Sequence, residues 1–237
     1  MKICRLSVPS GERDSALPEP YRVGVYYAPK TDDPLWQAGC AWLGRDAATG
    51  LHSPQPSLPG LAEHTTDPRR YGLHGTLKAP FIPRFGFETF IQAATDFAAK
   101  CESFDLPALA VTELRGFLAL CPTSPAPALH ALADACVKAL EPQRQPESES
   151  EQAKRGLGKT DRQRAHIADF GYPFIFDDFQ FHMTLTSHMQ NNPYLEAAQA
   201  HFKDPLAQAR RVESLAIFIE ETKGSPFRLI SHLPFAR

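Results

Sequence analysis

The chain has 237 residues, of which 43% are hydrophobic, enough to bury the core of one large domain or two small lobes. With 25 Lys and Arg against 27 Asp and Glu, its net charge of −2 gives no general attraction for nucleic acid or anionic lipid. We therefore expect neither nucleic acid nor a membrane as partner, and any phosphate must be held by local contacts.

The first ten residues lack the long apolar core of a signal peptide, and no apolar run approaches the roughly 18 residues that span a bilayer. These observations predict a soluble, cytoplasmic protein. The cysteines are odd in number and contain no Cys-x-x-Cys pair, which predicts reduced, mostly buried thiols. They are Cys4, Cys40, Cys101, Cys121 and Cys136.

In the first half, hydrophobic periodicity and turn residues predict an alternation of strands and helices. Asp33 and Pro34 are typical of the start of a helix. Four prolines between 46 and 70 predict a loop. The predicted strands cover 21–29, 71–80, 106–114 and 115–122, and a second helix covers 87–101.

A helix is predicted over 125–142, followed by a polar connector, about 142–165, whose charge indicates mobility. The second half then repeats the order of the first. Its predicted elements are a strand over 179–187, a helix over 192–204, and strands over 212–220 and 227–235. This repetition predicts an internal duplication, with a single bilobal domain over 1–237 and pseudo-repeat halves at about 21–125 and 166–237.

Two short stretches carry the strongest functional signal, "LHGTLK" at 73–78 and "FHMTLT" at 181–186. Composition alone predicts roughly 0.05 copies of His-x-Thr-Leu, so two copies are not an accident. In a strand, alternate side chains share a face. Each half should therefore present an imidazole and a hydroxyl on one face, His74 with Thr76 and His182 with Thr184.

Two imidazoles that face each other suit a reaction that needs one base and one acid near neutral pH. Threonine hydroxyls beside them can donate to phosphate oxygens. Lys78 shares the predicted face of His74 and is a further candidate for phosphate binding. We expect catalysis by His74 and His182, with substrate bound by Thr76, Thr184 and Lys78.

With these motifs the sequence resembles the two-histidine (2H) phosphoesterase superfamily, the LigT-like proteins, whose signature is a duplicated apolar-His-x-[Ser/Thr]-apolar motif. The stretches "WLGRD", "RRYGLHGTLKAPF" and "GYPFIFDDFQFHMTLT" resemble a bacterial branch associated with phosphonate-metabolism operons. The resemblance implies a bilobal α+β fold with antiparallel sheets around a central cleft. It also implies hydrolysis of a small cyclic phosphodiester by the two histidines, without metal or other cofactor.

Two alternatives remain open at this stage. One is a non-catalytic nucleotide- or phosphate-binding module, and the other is a 2′,3′-cyclic phosphodiesterase that processes RNA ends. A metal site at His74 and His182 is the weaker reading, because no Asp, Glu or Cys stands at ligand spacing beside either. "GLGKT" at 156–160 lacks the first glycine of a P-loop and follows a charged stretch, which indicates a connector.

Overall fold

The computed structural model of the protein describes residues 19–189 and 191–236. Cys4 and the first ten residues, on which the prediction of no signal peptide rests, lie outside these ranges. The strands are β1 (Arg22–Tyr27), β2 (Gly75–Phe81), β3 (Phe104–Leu106), β4 (Leu109–Leu114), β5 (Phe117–Pro122), β6 (Met183–Thr184), β7 (Arg210–Val212), β8 (Ser214–Glu220) and β9 (Phe227–Pro234). The helices are α1 (Pro34–Leu43), α2 (Leu61–His64), α3 (Thr66–Tyr71), α4 (Phe87–Ala98), α5 (Pro127–Leu140), α6 (Glu149–Arg155), α7 (Asp161–Phe170) and α8 (Leu195–Leu206).

Seven strands form one sheet in the order β4-β5-β6-β2-β1-β8-β9, and β3 pairs with β7 in a separate ribbon. Every pairing is antiparallel. The predicted α+β class is therefore confirmed. Strands of the two halves meet in the middle of this sheet, where the short β6 lies between β5 and β2.

The two faces of the sheet are packed differently. Val23 and Val25 of β1 face the large core cluster that also contains Phe90 of α4 and Phe202 of α8. Tyr26 points to the opposite face, into a smaller cluster that does not include those helices. Because successive strand residues alternate between faces, α4 and α8 cover one face and leave part of the other for the site.

The predicted start of α1 is confirmed. The Asp33 carboxylate accepts a hydrogen bond from the Leu35 amide at 2.7 Å, and Gly44 ends the helix with φ +81°. The prediction of a loop up to residue 70 is wrong at its end, because α2 and α3 form there. Arg69 stabilises these short helices by donating to the backbone carbonyls of Leu43 and Ala62.

About half of the connector is helical, in α6 and the first turn of α7, and the sequence analysis predicted neither helix. Both helices begin with a capping box, made by Ser148 with Glu151 and by Thr160 with Gln163. In each box the side chains satisfy backbone donors that a helix start leaves unpaired, which stabilises even short helices. The "GLGKT" stretch lies between these helices and not after a strand, as predicted.

The order of elements after β2 (α4, β3, β4, β5) is the same as that after β6 (α8, β7, β8, β9); the sequence analysis predicted a helix and two strands in each half, and the short β3 and β7 are additional. Their positions in the sheet do not repeat in full, because β1 lies between β2 and β8. Of the cysteines in the described ranges, Cys40, Cys121 and Cys136 are buried, Cys101 is half-buried, and all four are free thiols. Within the same ranges no helix is both long and apolar enough to cross a membrane.

Candidate active site

The two His-x-Thr motifs lie next to each other in the sheet. Gly75 of β2 pairs with Met183 of β6, and these are the middle residues of the two motifs. In an antiparallel pair, a step forward on one strand is matched by a step back on the other. His74 is therefore the neighbour of Thr184, and Thr76 is the neighbour of His182, about a local twofold axis.

Gly72 sets the orientation of His74. It ends α3 with φ +77°, a conformation that side chains other than glycine rarely adopt, and an added Cβ would lie 2.5 Å from the Cβ of Ala47. This turn directs the Gly72 carbonyl back toward the imidazole, and His74 Nδ1 lies 2.9 Å from that oxygen. Because a carbonyl only accepts, the Nδ1 atom carries the hydrogen.

His182 has the same restraint, since its Nδ1 lies 2.8 Å from the carbonyl oxygen of Gln180, again two residues earlier. Both imidazoles therefore hold their hydrogen on Nδ1 and present the Nε2 lone pair. Within residues 19–189 and 191–236, neither Nε2 atom has a protein hydrogen-bond partner. Both nitrogens are thus available for proton transfer to or from a ligand.

One cavity of about 370 Å³ brings the predicted residues together. His74, Thr76, His182 and Thr184 all line it. Its other walls include Tyr26, Tyr71, Phe117, Tyr172 and His188. A cavity of this size suits a small molecule.

Aromatic rings surround His74. The ring centres of Tyr26, Tyr71 and Phe218 lie 4.2, 5.9 and 6.1 Å from the centre of its imidazole. Burial among these rings disfavours the charged imidazolium and lowers the pKa of His74 to about 4, against the opposing effect of the Gly72 hydrogen bond. The proximity of His182 lowers the pKa further. His74 is therefore neutral at physiological pH.

His182 has fewer aromatic neighbours, with the Phe117 ring centre at 5.6 Å. Burial again lowers its pKa, the Gln180 hydrogen bond opposes this, and the positive charge of Arg115 adds to the lowering. A second cavity of about 250 Å³ adjoins His182 and shares Thr76, Phe117 and Tyr172 with the first. The site is therefore asymmetric in environment although its hydrogen bonds are symmetric.

Thr76 and Thr184 are half-buried, and neither hydroxyl has a hydrogen-bond partner in the described parts of the chain. Thr186 is different, because its buried hydroxyl accepts from the Leu118 amide at 2.9 Å and from Asn192 at 3.0 Å. Thr186 thus stabilises the fold, whereas the hydroxyls of Thr76 and Thr184 are available to a ligand.

Lys78 does not share the face of His74, contrary to the prediction from alternation. Tyr26 of β1 pairs with Thr76, but the preceding Val25 pairs with Lys78, so one extra residue of β2 forms a bulge between the pairs. The bulge reverses the alternation and turns Lys78 toward the helical face. There it is 3% exposed and forms an ion pair with Glu141 at 2.8 Å, and it does not line the cavity.

Packing against Phe181 excludes any side chain at position 75. A Cβ at this position would lie 2.3 Å from the ring of Phe181, which is itself buried. The variable residue of the first motif is therefore limited by packing against the strand that carries the second.

Sequence reasoning did not assign several residues that line the site. They are Tyr26, Tyr71, Phe117, Tyr172 and, beside His182, Arg115. Arg115 and Gly116 form a two-residue turn between β4 and β5 with φ values of +50° and +87°, typical of a type I′ hairpin. That hairpin was predictable from the adjoining strands, but its proximity to His182 was not. Among the described residues no group of three or more His, Cys, Asp or Glu has the arrangement of a metal site.

The model of one protein family matches residues 76–228, and its description is "Protein of unknown function (DUF1045)". The chain belongs to the DUF1045 family. The match contains the second His-x-Thr motif and begins at Thr76 of the first. Family membership shows common ancestry over residues 76–228, and the description of the family names no activity.

Two curated relatives are both called "Ribose 1,5-bisphosphate phosphokinase PhnN". The protein from Janthinobacterium sp. (strain Marseille) is 35% identical over 96% of this chain and 55% of its own length. That from Laribacter hongkongensis (strain HLHK9) is 36% identical over 88% of this chain and 50% of its own length. This DUF1045 chain thus spans about half the length of the curated relatives it matches.

Among solved structures, Escherichia coli LigT complexed with ATP matches with a TM-score of 0.43 and 12% identity, over 92% of this chain and 99% of that one. A crystal structure described as a phosphoesterase matches with a TM-score of 0.43 and 14% identity, over 92% of this chain and all of the other. TM-scores below 0.5 are too low to carry an argument about activity.

Proposed function

We propose that this DUF1045 protein hydrolyses a small cyclic phosphodiester by acid–base catalysis with two histidines. The observation that carries the proposal is the matched pair of imidazoles. Each donates a hydrogen bond from Nδ1 to the carbonyl two residues earlier, which leaves Nε2 without a protein partner in the described ranges, and both imidazoles line one cavity. A reaction that removes a proton from water and returns one to a leaving oxygen needs two such groups.

In the proposed reaction, one imidazole takes a proton from a water molecule as the water oxygen attacks phosphorus. The bond from phosphorus to the ring oxygen of the substrate breaks, and the other imidazole protonates that oxygen. Thr76 and Thr184 donate hydrogen bonds to the two non-bridging oxygens, where negative charge increases in the transition state. The products are a phosphate monoester and a hydroxyl on the same molecule.

The unequal surroundings of the histidines support different roles for them. His74, packed among three aromatic rings with a pKa lowered to about 4, is neutral over most of the working pH range and acts as the base. His182 has one aromatic neighbour and acts as the acid. The leaving oxygen then lies on the side of His182, next to the second cavity.

The names of the curated relatives support a pentose phosphate as substrate class. Those proteins are named for ribose 1,5-bisphosphate, a sugar that carries two phosphate monoesters. Hydrolysis of a cyclic phosphate on ribose 5-phosphate leaves a ribose bisphosphate. We propose a ribose cyclic phosphate as substrate, within the phosphonate metabolism that the sequence resemblance implies.

A nucleoside 2′,3′-cyclic phosphate is the second candidate. Phe117, Tyr172 and Phe174 line the cavity beside His182, and Gln180 adds an amide there. Aromatic side chains of this kind stack on nucleobases, and an amide can pair with a base edge.

A screen of cyclic phosphates tests the proposal, with ribose cyclic phosphates and nucleoside 2′,3′-cyclic phosphates assayed with and without chelator. Turnover that chelator leaves unchanged, and that the His74→Ala and His182→Ala variants lose, is the expected result. Binding without turnover of any compound would instead identify a phosphate-binding module. Loss of turnover on chelation, restored by a divalent ion, would contradict a reaction that needs only the histidines.

A further inference from the structure

A third cavity, of about 220 Å³, adjoins the histidine cleft and has no role in the proposed hydrolysis. Ala79, Pro80 and Tyr172 line both this cavity and the cleft. One small molecule can therefore extend from the cleft into the third cavity. Arg22 and Arg144 line the third cavity and do not line the cleft.

Each of these arginines belongs to an ion cluster around a carboxylate, and each cluster has an excess of positive charge. Glu220 is fully buried and binds the guanidinium groups of both Arg22 and Arg70. The single negative charge of Glu220 neutralises only one of the two guanidinium charges. The first cluster therefore keeps one positive charge beside the cavity.

The second cluster has the same charge balance, with a lysine and an arginine around one glutamate. Glu141 binds Lys78 at 2.8 Å and Arg144 at 2.7 Å, and the two cations are 3% and 6% exposed. Arg144 also donates from Nη2 to the Asp169 carbonyl at 3.1 Å, but its Nη1 is buried and has no partner among the described residues. A buried, unpaired donor on a charged group is costly, and this Nη1 lies close to Gly171, which also lines the cavity.

The other charges at the cavity do not cancel this excess. Glu147 lines the cavity, but it is paired with Arg155, although its Oε2 is buried without a partner. Glu151 lines it too, and its carboxylate caps the start of α6 through Ser148. With two cationic clusters against the single unpaired carboxylate of Glu151, the cavity favours an anion.

We propose that this cavity binds a second phosphate group of the substrate, a monoester remote from the cyclic diester. The inference rests on the proposed function, because it names the substrate of the same site as a cyclic phosphodiester that also carries a phosphate monoester. Guanidinium groups suit such a group, since their fork of N–H donors matches phosphate oxygens.

The test compares a ribose cyclic phosphate with its 5-phosphorylated counterpart. In the unmodified protein, we expect kcat/KM to be about 10- to 100-fold higher for the phosphorylated compound, the range for hydrogen bonds to a charged group. Arg22→Gln and Arg144→Gln should bring the ratio close to one. Arg211→Gln removes the same charge at the distant β7 and should leave the ratio unchanged.

Glu151→Gln gives a test that does not depend on the folding of an arginine variant. Glutamine can replace glutamate in a capping box, so α6 is kept while a negative charge at the cavity is lost. The preference for the phosphorylated compound should rise several-fold. Equal kcat/KM for the two compounds in the unmodified protein, or a preference that Arg22→Gln and Glu151→Gln leave unchanged, would overturn the proposal.

Calorimetry with ribose 5-phosphate separates the two proposals. If neither cyclic compound is hydrolysed but ribose 5-phosphate binds, and Arg22→Gln weakens that binding about tenfold or more, the phosphate site stands and the hydrolytic function fails. If both compounds are hydrolysed equally, the function stands and the phosphate site fails.

Discussion

Gly75 and Met183 lie directly opposite each other where β2 pairs with β6, so the middles of the two His-x-Thr motifs coincide with a local twofold axis. Each histidine consequently lies beside the threonine of the other motif, and each half of the chain contributes one histidine and one threonine to the same cavity. Neither half has a complete site by itself.

His74→Ala and His182→Ala should each lower turnover of the true substrate by about 10² to 10⁴-fold, the usual loss for a general acid or base. Both side chains are half-buried at the cavity, so the circular dichroism spectrum should not change. His52→Ala, at an exposed histidine outside the cavity, is the control and should retain full activity. Near-normal turnover in either site variant would contradict the paired mechanism.

The leaving group distinguishes the acid from the base. With a 4-nitrophenyl phosphodiester, whose leaving group needs no proton, His182→Ala should lose far less activity than it loses with a sugar leaving group. His74→Ala should lose about the same with both substrates, because water still has to be deprotonated. The reverse pattern would exchange the roles of the two residues.

Thr76→Val and Thr184→Val should each lower kcat/KM by about 10- to 100-fold, because a hydrogen bond to a charged phosphoryl oxygen is lost while side-chain shape is kept. Thr112→Val, on the exposed part of β4, is the matched control. Steady-state kinetics provide the measurement. Unchanged kinetics in both site variants would remove the threonines from the mechanism.

The pH profile of kcat/KM should have its maximum on the acid side of 6.5. The base, His74, is neutral above its pKa of about 4, and the acid, His182, is protonated only below a pKa that is itself lowered from 6.5. Arg115→Gln removes a positive charge that lowers the pKa of His182, so the falling limb should move to higher pH. The two limbs of the profile give apparent pKa values of the coupled pair of histidines and not of either residue alone. A maximum above pH 7, with chemistry rate-limiting, would argue against this assignment.

Stability should fall as the pH drops from about 6.5 toward 4. Because the folded-state pKa of His74 is lowered to about 4, the unfolded chain binds more protons in this window, and protonation favours unfolding. The stabilisation is complete above the unfolded pKa of about 6.5. Urea unfolding at several pH values should show this slope, and His74→Gln should reduce it. An equal slope in both proteins would show that His74 is not shielded in solution.

Gly75→Ala should lower the free energy of unfolding by about 1 to 3 kcal/mol, because its Cβ would overlap the buried Phe181 ring. Phe181→Leu in the same chain should recover part of the loss, since it removes the ring atoms concerned. Urea unfolding of the single and double variants measures both effects. If the Gly75→Ala protein is as stable as the parent, position 75 and the Phe181 ring can move apart without cost, and the close packing of β2 against the second motif is not a constraint.

Much of the secondary structure was readable from local patterns. Helix α1 begins at Asp33 as predicted, because a capping carboxylate acts on an amide two residues away. The helices of the connector were missed although Ser148 with Glu151 and Thr160 with Gln163 carry the capping-box spacing. A polar, charged composition is typical of a mobile segment, whereas a capping box acts within one helical turn and stabilises even a short polar helix.

The sequence by itself determined four of the candidate site residues, His74, Thr76, His182 and Thr184, since the two His-x-Thr motifs are local patterns that repeat. It also determined the order of elements that brings each motif to a strand. Only the tertiary structure decided which neighbours each residue has. A bulge opposite β1 turns Lys78 away from the cleft, and strand pairing places Tyr26 against His74. Bulges, register and aromatic shielding depend on partner strands far away in the chain, and no local pattern records them.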